Sequence, residues 1–157
     1  MIEIVKAKRK DIKEIYNFIK LMAKYEKLEH EHTGSIDDLE TSLFDEKVAE
    51  VIFLTKNKEK IGFALYYFTF STFLSKKTLY LEEIFIKEEY RNNGYGKMLF
   101  NHLINKAKTL NVGRMEWVCL NWNKPSIEFY KKMGAIALDE WTTFRLTEDK
   151  IKKMNEG

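Results

Sequence analysis

The segment Ile61–Phe70 limits the fold more than any other stretch of the chain. Its apolar and aromatic residues fall on both sides of an extended strand, with Phe63, Leu65 and Tyr67 on one face and Ala64, Tyr66 and Phe68 on the other. Such a strand is covered on both sides and sits centrally in a sheet. Val48–Thr55 reads as a partner strand, joined to it by the polar turn Asn57–Lys60, which is the pattern of a hairpin. Thr78–Lys87 and Arg114–Leu120 read as further strands, and Ile2–Lys6 alternates as a half-buried one. Helical spacing takes over in Asp11–Lys27, where Ile12, Ile15, Tyr16, Ile19, Met22 and Ala23 share a face. Ser35 with Asp38 forms a variant capping box that opens a second helix through Phe44. A third helix runs from Gly96 to about Leu110 on Leu99, Leu103, Ile104 and Ala107. A fourth spans Asn123–Met133, with Asn123 as candidate N-cap, Pro125 in the first turn and Gly134 as the stop. Ala135–Leu138 and Trp141–Leu146 read as short strands and Glu148–Asn155 as a last helix. The order β-α-α-β-β-β-α-β-α-β-β predicts an α/β fold, a mixed sheet with helices on both faces.

The 157 residues suit one compact domain, taken here as residues 1–157. No apolar run approaches the roughly 20 residues of a membrane span, and the charged, alternating start is not a secretory leader. With one cysteine, Cys119, no intrachain disulfide is possible, and a cytoplasmic location is the default expectation. The net charge of +3 says little, but its distribution says more. Between Glu26 and Glu46 eight acids face one lysine, so the chain offers an acidic surface to a cation and a basic remainder to an anion; a solvated helix-loop-helix accounts for the same pattern. No basic aromatic stripe supports nucleic-acid binding. His30 and His32 lack further ligands for a metal, and His102 lies on a polar helix face.

The segment richest in chemistry is strand, then Arg91-Asn92-Asn93-Gly94-Tyr95-Gly96, then helix. A helix start carries unpaired N–H groups and the positive end of the macrodipole, and so attracts anions. Glycines there remove the Cβ atoms that keep a phosphate from the backbone, and Arg91 and Lys97 add charged donors. A pyrophosphate fits that description; a plain tight turn into a helix uses the same glycines. The spacing is neither a P-loop nor the dinucleotide fingerprint, which follows the first strand of its unit.

R-N-N-G-Y-G resembles the [RQ]-x-x-G-x-[GA] signature of GNAT acetyltransferases, which binds the pyrophosphate of acetyl-CoA. The likeness runs through Ala23–Glu26, Gly62–Thr69, Tyr80–Ile86, Tyr90–Gly96 and Trp122–Tyr130, and is closer to the diamine (spermidine/spermine) acetyltransferase branch. It implies a mostly antiparallel sheet of about seven strands, a homodimer, and acetyl-CoA as co-substrate without a metal. It also implies main-chain pairing of the pantetheine arm with Ile84, Phe85 and Ile86, phosphates on the amides of Asn92, Asn93, Gly94, Tyr95, Gly96 and Lys97, and a contact from Asn123, which as a helix cap needs no ligand.

Acetyl transfer also needs a neutral amine, and an alkylammonium of pKa about 10.4 is only about one-thousandth neutral near pH 7.4. Glu82, matching the family's strand glutamate, is the candidate base. A salt-bridged sheet residue is the bland reading of it, and strand alternation sets Glu83 on the opposite face. Tyr130 matches the tyrosine that protonates the leaving thiolate; as an aromatic in a helix it is otherwise a core residue. Tyr25 and Glu26 match the acceptor-site pair of the diamine branch and, with Glu82, would bind the substrate. Thr142, beside Trp141, stands where relatives acting on spermidine carry an acid, so a shorter diamine or a thialysine-like amine fits as well as a long polyamine. No Cys-His-Asp arrangement supports a covalent intermediate, which leaves direct attack by the amine in a ternary complex. A protein lysine or N-terminal amine as acceptor would call for an open groove. A non-catalytic acyl-CoA-binding module would lack Glu82 or Tyr130.

Overall fold

A computed structural model describes residues 1–154, and within it the chain forms two compact units, Met1–Val118 and a smaller one from Cys119 on. The first unit is built on a five-stranded sheet. β1 (Ile2–Lys6), β2 (Glu50–Lys56), β3 (Glu59–Ser71) and β4 (Lys76–Ile86) pair antiparallel in chain order, and β5 (Arg114–Glu116) adds parallel to β4. β2 and β3 meet through Asn57 and Lys58, both with positive φ, which is the two-residue turn whose twist matches a hairpin.

Both faces of β3 are buried over Ile61–Tyr66, as the sequence there requires. Phe53, Phe63 and Phe85 lie side by side in register across β2, β3 and β4. Phe18 of α1 (Ile12–Tyr25) covers them, its ring 5.0 Å from Phe63 and 5.9 Å from Phe53. Ile15, Val51, Leu65 and Leu43 complete this core. The other face, with Leu54, Ala64, Tyr66 and Leu79, packs under α3 (Tyr95–Thr109), which buries Leu99, Phe100, Leu103 and Ala107. Between α1 and β2 come the short helix α2 (Ile36–Glu40) and a π turn over Thr41–Asp45. The hydroxyl of Ser35 accepts from the N–H of Asp38 at 3.0 Å, the cap that the sequence predicts.

The expected seven strands reduce to five. Arg114–Leu120 is a strand only over Arg114–Glu116, and neither Ala135–Leu138 nor Trp141–Leu146 forms one. Their apolar residues stand largely exposed, Ile136 at 84%, Trp141 at 77% and Phe144 at 89%. Alternation supplies an apolar side, but a strand also needs a neighbour for its backbone groups, and that requirement is not written in side-chain period. The second unit instead carries α4 (Lys124–Lys132), ended by Gly134 at φ +97°, and α5 (Glu148–Lys153). The expected helix end at Asn155 lies outside the described residues. Among those residues no helix is long and apolar enough to cross a membrane.

Candidate active site

The parallel ladder of β4 with β5 is short. It joins Thr78, Leu79 and Tyr80 to Arg114, Met115 and Glu116 and goes no further. Beyond Tyr80 the edge of β4 that faces β5 is unpaired with it, whereas the opposite edge continues against β3, with Ile84 on Ala64, Phe85 on Phe63 and Ile86 on Gly62. The outward main-chain groups of Ile84 and Ile86, apart from the Ile86 carbonyl that accepts from Arg91, thus stand at an opening in the sheet, the geometry that an extended ligand arm adds to as a strand would.

A β-bulge lies just before this edge. Leu65 pairs with Glu83 and Tyr66 with Leu81, so Glu82 is the extra residue. This corrects the sequence expectation that Glu82 and Glu83 point to opposite faces. Glu83 lies across from Leu65, on the α1 side, and the bulge brings Glu82 round to the same side, where its carboxylate accepts a hydrogen bond from the Tyr67 hydroxyl at 3.3 Å. Strict alternation fails wherever two residues oppose one.

Glu26 joins them from the end of α1, where it is the C-cap. A carboxylate there faces the negative end of the helix dipole. Burial raises the Glu26 carboxyl above its ordinary range, and the charge of Glu82 adds to it. Glu83 is moved much further, to about 8, first by burial and then by Glu26 and Glu82. Like charges gathered in a partly desolvated place raise one another, and the protonated form of one member relieves the strain. A cationic ligand relieves it as well. Tyr67 and Tyr80 line the same region with rings 5.2 Å apart; burial and the Glu82 charge push the Tyr67 phenol up to about 12, and Tyr80 is raised by burial, then by Glu82 and Glu116. Sequence reasoning passed over Glu83, Tyr67 and Tyr80. The signal for Glu83 was two consecutive acids in an apolar strand, which alternation cannot bury on one side.

The Gly-rich turn follows a 3₁₀ turn at Glu88–Tyr90. Asn92 and Gly94 take positive φ, and Gly94 is the residue before α3, so the first-turn N–H groups of that helix open beside it. A Cβ on Gly94 would meet no atom of the described residues within 4 Å and would stand in open space at the start of α3. A Cβ on Gly96 would reach Ile86 at 3.9 Å, an ordinary contact, so alanine fits there as the signature allows. The bare backbone at Gly94 is what a phosphate group needs. Asn93 braces the turn, its amide donating to the carbonyls of Tyr90 at 3.1 Å and Arg91 at 3.0 Å. Lys97 is exposed and Tyr95 half-buried.

Arg91 turns inward to the α1 side. Its Nε donates to the Ile86 carbonyl at 2.9 Å, and its guanidinium lies over Tyr25 at 4.9 Å and Phe85 at 5.0 Å. The first unit therefore brings together Tyr25, Glu26, Glu82, the Ile84–Ile86 edge and the Gly-rich turn. An open groove of about 490 Å³ also touches Gly94 and Lys97, but it runs along α3 past Ile4, Met98 and His102, away from the acids.

Asn123 and Tyr130 belong to the second unit. Asn123 precedes α4 without a side-chain cap hydrogen bond, so its amide is not spent on the helix. Tyr130 is half-buried on α4, its ring 5.6 Å from Phe129.

Residues 10–135 match the profile of the Acetyltransferase (GNAT) family. A thialysine N-epsilon-acetyltransferase of Sus scrofa is 30% identical over 163 aligned positions, covering 96% of this chain and 95% of that protein. An L-ornithine acetyltransferase of Arabidopsis thaliana is 40% identical over 95 residues, which cover 60% of this chain and less than half, 42%, of that protein. Among solved structures, an integron cassette protein from the mobile metagenome of V. cholerae superposes with a TM-score of 0.81 at 24% identity, covering 99% of this chain and 98% of that one, a likeness of fold.

Proposed function

This chain belongs to the GNAT acetyltransferase family, a family of N-acetyltransferases, and we propose that it moves the acetyl group of acetyl-CoA to a primary amine of a small polyamine, diamine or thialysine-like acceptor. The observation that carries the reading is the gathering of Glu26, Glu82 and Glu83 immediately before the open edge of β4. Three neighbouring carboxylates, with the charge of Glu82 raising Glu26 and both raising Glu83, fit a ligand with more than one positive charge. The full-length likeness to thialysine acetyltransferase points the same way.

Acetyl-CoA supplies the acetyl group as an activated thioester. The residues that would hold it are the amides of Asn92 to Lys97 for the diphosphate, the main chain of Ile84, Phe85 and Ile86 for the pantetheine arm, and Asn123 by family resemblance. A main-chain amide near Phe85 would polarise the thioester carbonyl. Glu82 takes the ammonium proton, directly or through a water, and leaves a neutral nitrogen that attacks in a ternary complex. Tyr130 gives its phenolic proton to the departing sulfur; a phenol of pKa about 10 stays protonated until the thiolate forms, and handing its proton to a thiolate whose thiol has a pKa of about 8.5 is uphill by only about 1.5 pKa units. Tyr25 flanks the acceptor, and Glu26 with Glu83 holds its second cation. The resemblance also implies a homodimer, which sedimentation velocity reads directly.

The test is an acceptor screen with purified protein and acetyl-CoA, following thiol release with spermidine, spermine, putrescine, thialysine, lysine, ornithine and short peptides. Release with the small amines and none with peptides is expected. Release with peptides alone would overturn the acceptor assignment, and none with any amine would overturn the transferase.

A further inference from the structure

We propose that Tyr67 is a positioning residue of this site, its hydroxyl holding the Glu82 carboxylate in the orientation from which it takes the amine proton. The proposal rests on the acetyltransfer reading above. A residue at a bulge is not aimed by the pleat of its strand, since no partner stands across from it. Glu82 is moreover exposed, and an exposed glutamate with three side-chain torsions samples many rotamers. It accepts a side-chain hydrogen bond from Tyr67.

Tyr67 is itself well fixed. It lies on the central strand, its backbone paired with Tyr80, and its ring packs on the aromatic core and against the Tyr80 ring. Burial and the adjacent negative charge keep the phenol protonated at neutral pH, so it is a permanent donor. The groups facing Glu82 are Tyr67 from β3, Tyr80 and Glu83 from β4, and Glu26 from the end of α1. Each of the two acids repels it when ionised, and the Tyr67 hydroxyl attracts it. At 3.3 Å the bond is long for an O–H···O contact, as catalytic contacts without substrate often are, and it tightens once the amine fixes the carboxylate from the other side.

Tyr67→Phe keeps the ring, its burial and its stacking, and removes only the donor. With the acceptor found in the screen, kcat is expected to fall about tenfold, a share of what general-base catalysis contributes. The acidic limb of the kcat/KM profile is expected to move to higher pH, while the KM for acetyl-CoA and the melting temperature stay put. In the Glu82→Gln background the same substitution adds no further loss, because the two act as one unit. A second readout does not depend on turnover. With ¹³C-labelled glutamate at a pH where the carboxylates are ionised, the Glu82 carboxyl resonance, identified through Glu82→Gln, shifts in Tyr67→Phe and the Glu26 resonance does not. A variant with wild-type kcat and pH profile, or an unmoved Glu82 resonance, overturns the proposal. A wild-type chain that acetylates no amine overturns the functional reading, and the resonance then still reports whether the contact exists.

Discussion

Glu83 has no hydrogen-bonded or ion-pair partner among the described residues, and its carboxyl is lifted from the usual 4.5 to about 8 by burial, Glu26 and Glu82. That difference corresponds to about 5 kcal/mol between its protonated and ionised forms, and water entering the site around a half-buried group would bring the felt value to about 2–5 kcal/mol. The pH window follows from the direction. Below the ordinary glutamate value the group is protonated in both the folded and unfolded chain, and stability is unaffected. As pH rises towards about 8 the unfolded chain releases its proton and the folded chain keeps it; stability falls, and the loss is complete once the folded carboxyl ionises. Glu83→Gln removes the titration while nearly preserving shape. Urea unfolding at pH 5, 7 and 9 should show a variant little changed at pH 5 and more stable than wild type by about 2–5 kcal/mol at pH 9. Glu26, raised in the same direction, leaves a smaller slope in the variant. The same substitution should weaken a diammonium ligand and abolish most of the proton release on its binding, measured by calorimetry in buffers of different ionisation enthalpy. A stability gain equal at all three pH values would refute the reasoning, since only the ionised form carries the penalty.

Three further outcomes follow from the site. Tyr130→Phe should lower kcat by about a hundredfold with little change in acetyl-CoA affinity, the signature of a lost general acid; unchanged turnover rejects that role. Glu82→Gln should lower the rate near neutral pH and move the optimum upward, towards pH values where the amine is already neutral; an unaltered pH–rate profile counts against a base there. Gly94→Ala should cost about 1–2 kcal/mol for a Cβ at φ +79°, read by thermal melting, and raise the acetyl-CoA KM more than tenfold because that Cβ enters the open space at the start of α3. A lower melting temperature with unchanged coenzyme affinity would mean that no phosphate rests there.

What the sequence discloses is whatever side-chain period and local turn chemistry control. The double-sided strand Ile61–Phe70 reads correctly because both its faces are buried over Ile61–Tyr66, and the Ser35 cap, the turn expected over Asn57–Lys60 and formed by Asn57 and Lys58, and the Gly134 stop read correctly because each is decided by residues next to one another. The two strands expected after Gly134 fail because pairing depends on a distant neighbour. The site shows the same division. The Gly-rich turn is local, and it leads directly into α3 as a strand-turn-helix reading expects. The facing of Glu82 and Glu83 depends instead on a register shift against Tyr66, far away in sequence, and a single inserted residue reverses the parity of everything before it. That parity is what converts two acids on separate faces into neighbours. Straightening the bulge would restore the regular ladder and part Glu82 from Glu83 and from the Tyr67 hydroxyl. The feature of the strand on which the proposed site depends is therefore its departure from regular pairing, and a period-two pattern is blind to it.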